Sequence, residues 1–313
     1  MKLFIAGAEN PLNRVSALSA NNPNILGSYY HLTSANHKIP PQFIQDYNAL
    51  KKTNLSFIMD SGLFTMMFGA GSHKTYSIDY LMDYTNKYLD NMNNMNYEHY
   101  IVEMDVHKLL GIKLLEDFRK MFVDRYPIEK TIFVWHIESG IEGFENMCKK
   151  YPYVAISIPE LRIVLKRTYL KQFIQKMVST ALKINPQIKI HLLGCTSNEL
   201  LEQRGYYSAD STSWQAAMRY GSGVVPHDRT LLTMPQMKHL VKQCQPDIEY
   251  NINALKKSHN LSGWPKKEGG RMNIAILSIA FYRHMAEIIS RDYFNTTYKQ
   301  FDPTFKPIIR STT

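Results

Sequence analysis

Three aspartates share one kind of setting: Asp60, Asp105 and Asp210 each close a run of apolar or β-favouring residues. The clearest case is Phe57-Ile58-Met59-Asp60-Ser61-Gly62-Leu63-Phe64, where an apolar run of the buried parallel-strand type stops at a carboxylate, a hydroxyl and a glycine. A carboxylate at such a point serves either as a reacting group or as the cap of the next segment through an Asx-turn. Recurrence favours the first. Burying unpaired carboxylates is costly, so three of them converging on one place need a functional reason.

Convergence depends on the elements that carry them. Eight short β-like runs recur, at Leu3 to Ala6, Ile25 to His31, Phe57 to Asp60, Tyr100 to Asp105, Ile132 to His136, Tyr153 to Ile158, Ile188 to Gly194 and Tyr206 to Asp210. Between most of them lie helical patterns, at Pro41 to Lys51, Ile78 to Asn91, Leu110 to Phe122, Ile141 to Lys150, Leu165 to Ile184 and Ser197 to Gln203. The alternation predicts an α/β chain folded as a (β/α)8 TIM-like barrel over residues 1–213. Residues 214–313 form a helical, basic C-terminal extension packed on it, with helices over Met234 to Gln243 and Met272 to Phe294. In such a barrel the C-terminal strand ends face the active site, and here those ends are His31, Asp60, Asp105, His136, Ser157, Cys195 and Asp210.

The bulk properties narrow the class. With 313 residues, 44% hydrophobic and 20% charged, the composition is globular. No run approaches the roughly 20 apolar residues that span a bilayer, and the N-terminus has no signal-peptide pattern, so a cytoplasmic, membrane-free protein is expected. Cys148, Cys195 and Cys244 are far apart and suggest neither a disulfide framework nor a cysteine-rich metal site. A net charge of +10 and a pI near 9.3 favour a polyanionic partner, nucleic acid first. Lys256, Lys257, Trp264, Lys266, Lys267 and Arg271 interleave cations with an aromatic ring, a pattern suited to a nucleic-acid backbone and an unstacked base and equally to a solvated loop.

Around the strand ends the letters resemble those of tRNA-guanine transglycosylases. Asp60-Ser61-Gly62-Leu63-Phe64-Thr65 is similar to their DSGGFQ motif, with Leu63 for the second glycine and Thr65 for the glutamine. Ile190-His191-Leu192-Leu193-Gly194-Cys195-Thr196-Ser197 resembles LLGxGTPE, and Gly205-Tyr206-Tyr207-Ser208-Ala209-Asp210-Ser211 falls where the family has GxDxFDC. The likeness spans roughly residues 50 to 215, in the family's order. It implies that guanine leaves its sugar and a 7-deazaguanine such as preQ0 or preQ1 takes its place, with no cofactor. Asp210 would attack C1′ and Asp60 would be the general acid/base, the more buried of the two and raised in pKa. Exchange with retention takes two inversions, hence one nucleophilic carboxylate and one proton shuttle. Asp105 would bind the purine's Watson–Crick edge, and Ser61, Gly62, His136, Ser157 and Gly194 complete the expected substrate contacts.

The departures point to the polymer. The tRNA enzymes hold zinc through CxCxxC…H in their C-terminal part, whereas only Cys244 follows Asp210 here, so no metal is expected. A zinc-free, compact chain is closest in character to the 7-deazaguanine DNA transglycosylases of phage and bacterial DNA-modification systems. DNA is therefore the expected partner, tRNA the alternative, and a homodimer of the tRNA-enzyme kind the open question. A phage enzyme would work in the host cytoplasm. A stacked guanine must be flipped out before C1′ is reached, and Trp264, Trp214 and the basic loop are candidates to brace the gap. Two other readings compete: a metal-dependent barrel hydrolase with His31, His136, His191 and Asp210 as ligands, and a basic barrel that binds nucleic acid without turnover.

Overall fold

The computed structural model describes residues 1–33, 37–50, 55–68, 74–95, 99–202, 205–225, 230–265 and 269–293. Eight strands, β1 (Lys2–Ala6), β2 (Asn24–Ser28), β3 (Ser56–Asp60), β4 (Tyr100–Val102), β5 (Thr131–Trp135), β6 (Tyr153–Ser157), β7 (Lys189–Leu193) and β8 (Ser208–Ser211), pair in sequence order. Every pairing is parallel, and β8 returns to β1 with Phe4 opposite Asp210, so the sheet closes into the expected (β/α)8 TIM barrel. Most of the strands are apolar runs, as β5 shows with all five residues buried.

Strand alternation divides their side chains into two sets. Phe4, Ala6, Leu26, Ile58, Val102, Ile132, Val134, Tyr153 and Ala155 make one buried cluster, the barrel interior. Their neighbours Leu3, Ile5, Phe57, Met59 and Phe133 belong to a second, larger core beneath the helices. Asp60 lies two residues past Ile58, in phase with the interior, and so ends its strand at the barrel mouth.

The outer layer is α1 (Pro11–Ser19), α2 (Tyr29–Leu32), α3 (Pro41–Leu50), α4 (Leu63–Phe68), α5 (Ile78–Asn93), α6 (His107–Arg125), α7 (Gly140–Lys150), α8 (Ile158–Val164), α9 (Arg167–Ile184), α10 (Asn198–Leu201), α11 (Ala216–Tyr220), α12 (Met234–Ser258) and α13 (Arg271–Tyr293). A β9 (Ser222–Val225) and β10 (Thr230–Thr233) pair leads antiparallel into α12. The last helix, α13, packs on α1, α11, α12 and β1, covering the seam where β8 meets β1. No helix among the described residues is long and apolar enough to cross a membrane.

Several boundaries differ from those read in the sequence. Helix α1 was not expected, although Asn10 caps it through Leu12 and Asn13 and Pro11 opens it. The second strand stops at Ser28 rather than His31, because Tyr29 turns inward to pack against Tyr84 and Tyr88 and starts α2. Helix α8 fills the stretch left unassigned between the sixth strand and the helix expected from Leu165. Helix α12 runs on through Pro246 to Ser258, taking Lys256 and Lys257 into its last turn.

Candidate active site

Asp210 sits on β8, the least apolar of the eight strands, and is held by groups from β7. Its Oδ1 accepts the Gly194 N–H at 3.0 Å and the His191 Nε2–H at 3.1 Å. With that proton on Nε2, His191 Nδ1 accepts from Ser208 Oγ at 2.7 Å, and Ser208 Oγ accepts from Tyr153 Oη at 2.5 Å. The chain Tyr153–Ser208–His191–Asp210 is therefore donor-to-acceptor throughout. It fixes the histidine tautomer, and among the described residues both hydrogen bonds to the carboxylate fall on Oδ1.

Asp60 stands in a different environment. Its Oδ1 accepts one backbone donor, Gly62 N–H at 2.7 Å. Burial of the carboxyl, reinforced by the nearby charges of Asp210 and Glu9 and opposed by the Gly62 bond, pushes its pKa up to about 6. Asp60 carries the raised pKa expected of it, with burial of its carboxyl as the first cause. Asp210 is the less solvent-exposed residue at 8%, while Asp60 is only partly buried. Asp210 accepts two hydrogen bonds where Asp60 accepts one, and the like charges of Asp210 and Glu9 add to the effect of burial on Asp60.

Gly62 is required where it stands. Its φ is +82°, and a Cβ there would lie 2.3 Å from Tyr30 Cβ. Ser61 is buried, its carbonyl accepting from Tyr84 Oη at 2.7 Å. Gly194, expected as a substrate contact, instead spends its N–H on Asp210. Ser157 ends β6 and precedes the first turn of α8.

Asp105 follows β4 by three residues and lies at the same mouth, since Asp60, Glu103 and Glu160 all act on it. Burial first, then those like charges, hold its carboxyl well above the usual range. Beside it His136, 1% exposed, bonds Glu160 Oε2 through Nδ1 at 3.3 Å and faces Asp105 Oδ2 with Nε2 at 4.0 Å. His107 stacks on His136 with ring centroids 3.3 Å apart and reaches Glu160 Oε1 through Nε2 at 2.9 Å. Lys108 adds a 3.0 Å contact to Glu160 and a close one to Glu138. Burial works against ionisation of Glu160, yet the His107, His136 and Lys108 donors hold it well below the usual carboxylate range. Behind the cluster, buried Glu103 pairs with Arg119 at 2.9 Å and accepts the Val134 N–H at 2.6 Å.

Sequence reasoning passed over Glu9, His107 and the positioning part of His191. Glu9 had a visible signal, because Ala6-Gly7-Ala8-Glu9 repeats the strand, glycine and carboxylate layout. The four residues of the hydrolase reading do not assemble: among the described residues His31 contacts Thr65 at 3.3 Å, and no metal-ligand group contains it with His191 and Asp210. Trp214 is 1% exposed and donates to the Ala6 carbonyl at 3.0 Å, so it cannot brace a duplex. Lys256 lies over the Trp264 ring at 5.0 Å, and Lys257 and Arg271 are exposed. Lys266 and Lys267 lie outside the described residues. The segment before them is tied to the barrel by Ser262 on Asp46 and by Gly263 against Pro11 at the start of α1.

No protein-family model matches the chain, and no curated protein matches its sequence. Among solved structures it is similar to a monomeric dihydrodipicolinate synthase variant, with a TM-score of 0.43 and 9% identity over 93% of this chain and 97% of that one. The barrel assignment rests on the strand pairing itself, and that fold is a common enzyme scaffold whose active sites lie at the end where Asp60 and Asp210 stand.

Proposed function

We propose that the chain is a base-exchange transglycosylase that replaces guanine in DNA with a 7-deazaguanine. The observation that carries this reading is the pairing at one mouth of a donor-held carboxylate, Asp210, with a carboxyl raised to about 6, Asp60. Asp210 Oδ2 attacks C1′ as the bond to guanine breaks, and protonated Asp60 gives its proton to the leaving base. The incoming 7-deazaguanine then loses a proton to the Asp60 carboxylate, attacks C1′ and displaces Asp210, so configuration is retained. A group with a pKa near 6 is present in both forms near neutrality, as this alternation requires. Asp105 and His136 supply polar edges for the purine, with Ser61, Gly62 and Ser157 on the adjoining strand ends.

The charge of +10 supports a nucleic-acid substrate, and the zinc-free sequence supports DNA over tRNA. The biological sense would be modification of a genome against restriction nucleases. Incubation of the protein with labelled guanine or preQ0 and either duplex DNA or tRNA tests the reading directly. Label is expected in DNA; label in tRNA alone would move the activity to the other polymer, and label in neither would refute exchange. Asp210→Ala should abolish both incorporation and the covalent adduct seen by intact mass.

A further inference from the structure

The mouth is lined by carboxylates: Asp60, Asp105 and Asp210, with Glu9 and Glu160 close by. They repel a phosphate backbone, so a polyanionic substrate needs cations beside the mouth to hold it there. The sequence concentrates such cations in one segment. Residues 161–198 carry seven Lys and Arg and not one Asp or Glu, in a chain whose net charge is +10. Within this segment α8 follows the mouth end of β6 and meets the start of α9 in an elbow, from which α9 runs back along the barrel wall.

The packing seats this elbow beside Asp210. Gly194, whose N–H bonds Asp210, lies so close to α8 that a Cβ on it would fall 2.8 Å from Pro159 Cγ. Arg162 stands three residues beyond Pro159, on the same side of the helix. Arg162 and Asp210 both act electrostatically on the buried Cys195 thiol, next to Gly194. The inward positions Ile158, Leu161 and Leu170 are buried, so the core is served without the outward ones. There Arg162, Lys166 and Lys171 are exposed, and among them Ile163 is 81% and Tyr169 62% exposed. Arg162 and Lys171 also line a cleft of about 420 Å³ together with Ser197 and Glu199.

We propose that the α8–α9 elbow is the surface on which duplex DNA docks, with Arg162, Lys166 and Lys171 on phosphates and Ile163 and Tyr169 against sugar and base faces. The assignment rests on the base-exchange reading, because the docked strand must present one nucleotide to Asp210. Phosphate contacts supply affinity and register without reading sequence, while the carboxylate-lined mouth receives only the flipped base and its sugar. Cations with exposed apolar residues also suit an anionic membrane surface. The position of the elbow beside the reacting carboxylate, and not on a remote face, favours DNA.

Binding is measured apart from chemistry, by fluorescence anisotropy of labelled duplex DNA without free base, from about 50 to about 200 mM salt. The triple variant Arg162→Gln, Lys166→Gln, Lys171→Gln should bind at least about tenfold more weakly and lose about 3 from the salt slope. Lys183→Gln, exposed in the last turn of α9 and far from the mouth, should match the parent in both. All four positions are exposed, so far-UV circular dichroism should not change. In the exchange assay the loss should fall on KM for DNA. A triple variant that binds with the parent's affinity and slope would overturn the docking surface and leave base exchange standing. A lost slope in a protein that exchanges no base would support the surface and refute base exchange. Capture by phosphatidylserine vesicles with no binding of DNA would overturn the proposal in favour of a membrane surface.

Discussion

Replacing Asp60 by asparagine isolates the cost of keeping a carboxyl in that position. The side chain keeps its size and an oxygen able to accept the Gly62 N–H, but it cannot ionise. The folded pKa is about 6 against an ordinary value of 3.8. Folding therefore favours the protonated form, and its benefit is complete below the unfolded value and lost as pH rises through 6. A shift of about two units corresponds to about 3 kcal/mol. The parent should match Asp60→Asn below about pH 4, fall behind progressively between about pH 4 and 6, and trail by up to about 3 kcal/mol above that. Urea unfolding of both proteins from pH 4 to 8 measures the gap. A difference that stays constant over that range would refute the reasoning, because it would mean that Asp60 titrates alike in the folded and unfolded chains. A stabilised and inactive variant would mark the position as one where stability is given up for function.

The Glu103–Arg119 pair predicts a larger loss of another kind. Glu103→Ala leaves the Arg119 guanidinium buried with reduced compensation and the Val134 N–H without its acceptor, so chemical denaturation should show a loss of about 3–5 kcal/mol. A change under about 1 kcal/mol would show that water replaces the carboxylate. Gly62→Ala combines a positive φ with a Cβ 2.3 Å from Tyr30, so a destabilisation above about 2 kcal/mol, or a displaced mouth loop seen crystallographically, is expected.

The barrel was legible because its signals are local. Runs such as Thr131–Trp135, buried along their whole length, and amphipathic stretches such as Ile78–Asn93 announce themselves by composition and period. Tyr29 shows where this fails: a β-favouring residue next to a strand is turned into a helix by ring contacts with Tyr84 and Tyr88, more than fifty positions away.

By itself, the sequence placed Asp60, Asp210 and Asp105 at or shortly after the ends of apolar runs, and the eightfold alternation then implied one shared mouth, although β4 stops three residues short of Asp105 and β8 runs one residue past Asp210. Only the tertiary structure decided how those carboxylates differ. The donors on Asp210 come from His191 on the neighbouring strand and Gly194 just past its end, the charges near Asp60 from Asp210 on β8 and Glu9 in the turn after β1, and the two imidazoles on Glu160 from residues 29 positions apart. Protonation depends on what surrounds a carboxyl in space, and in a closed barrel those neighbours are supplied by strands that are remote in the chain.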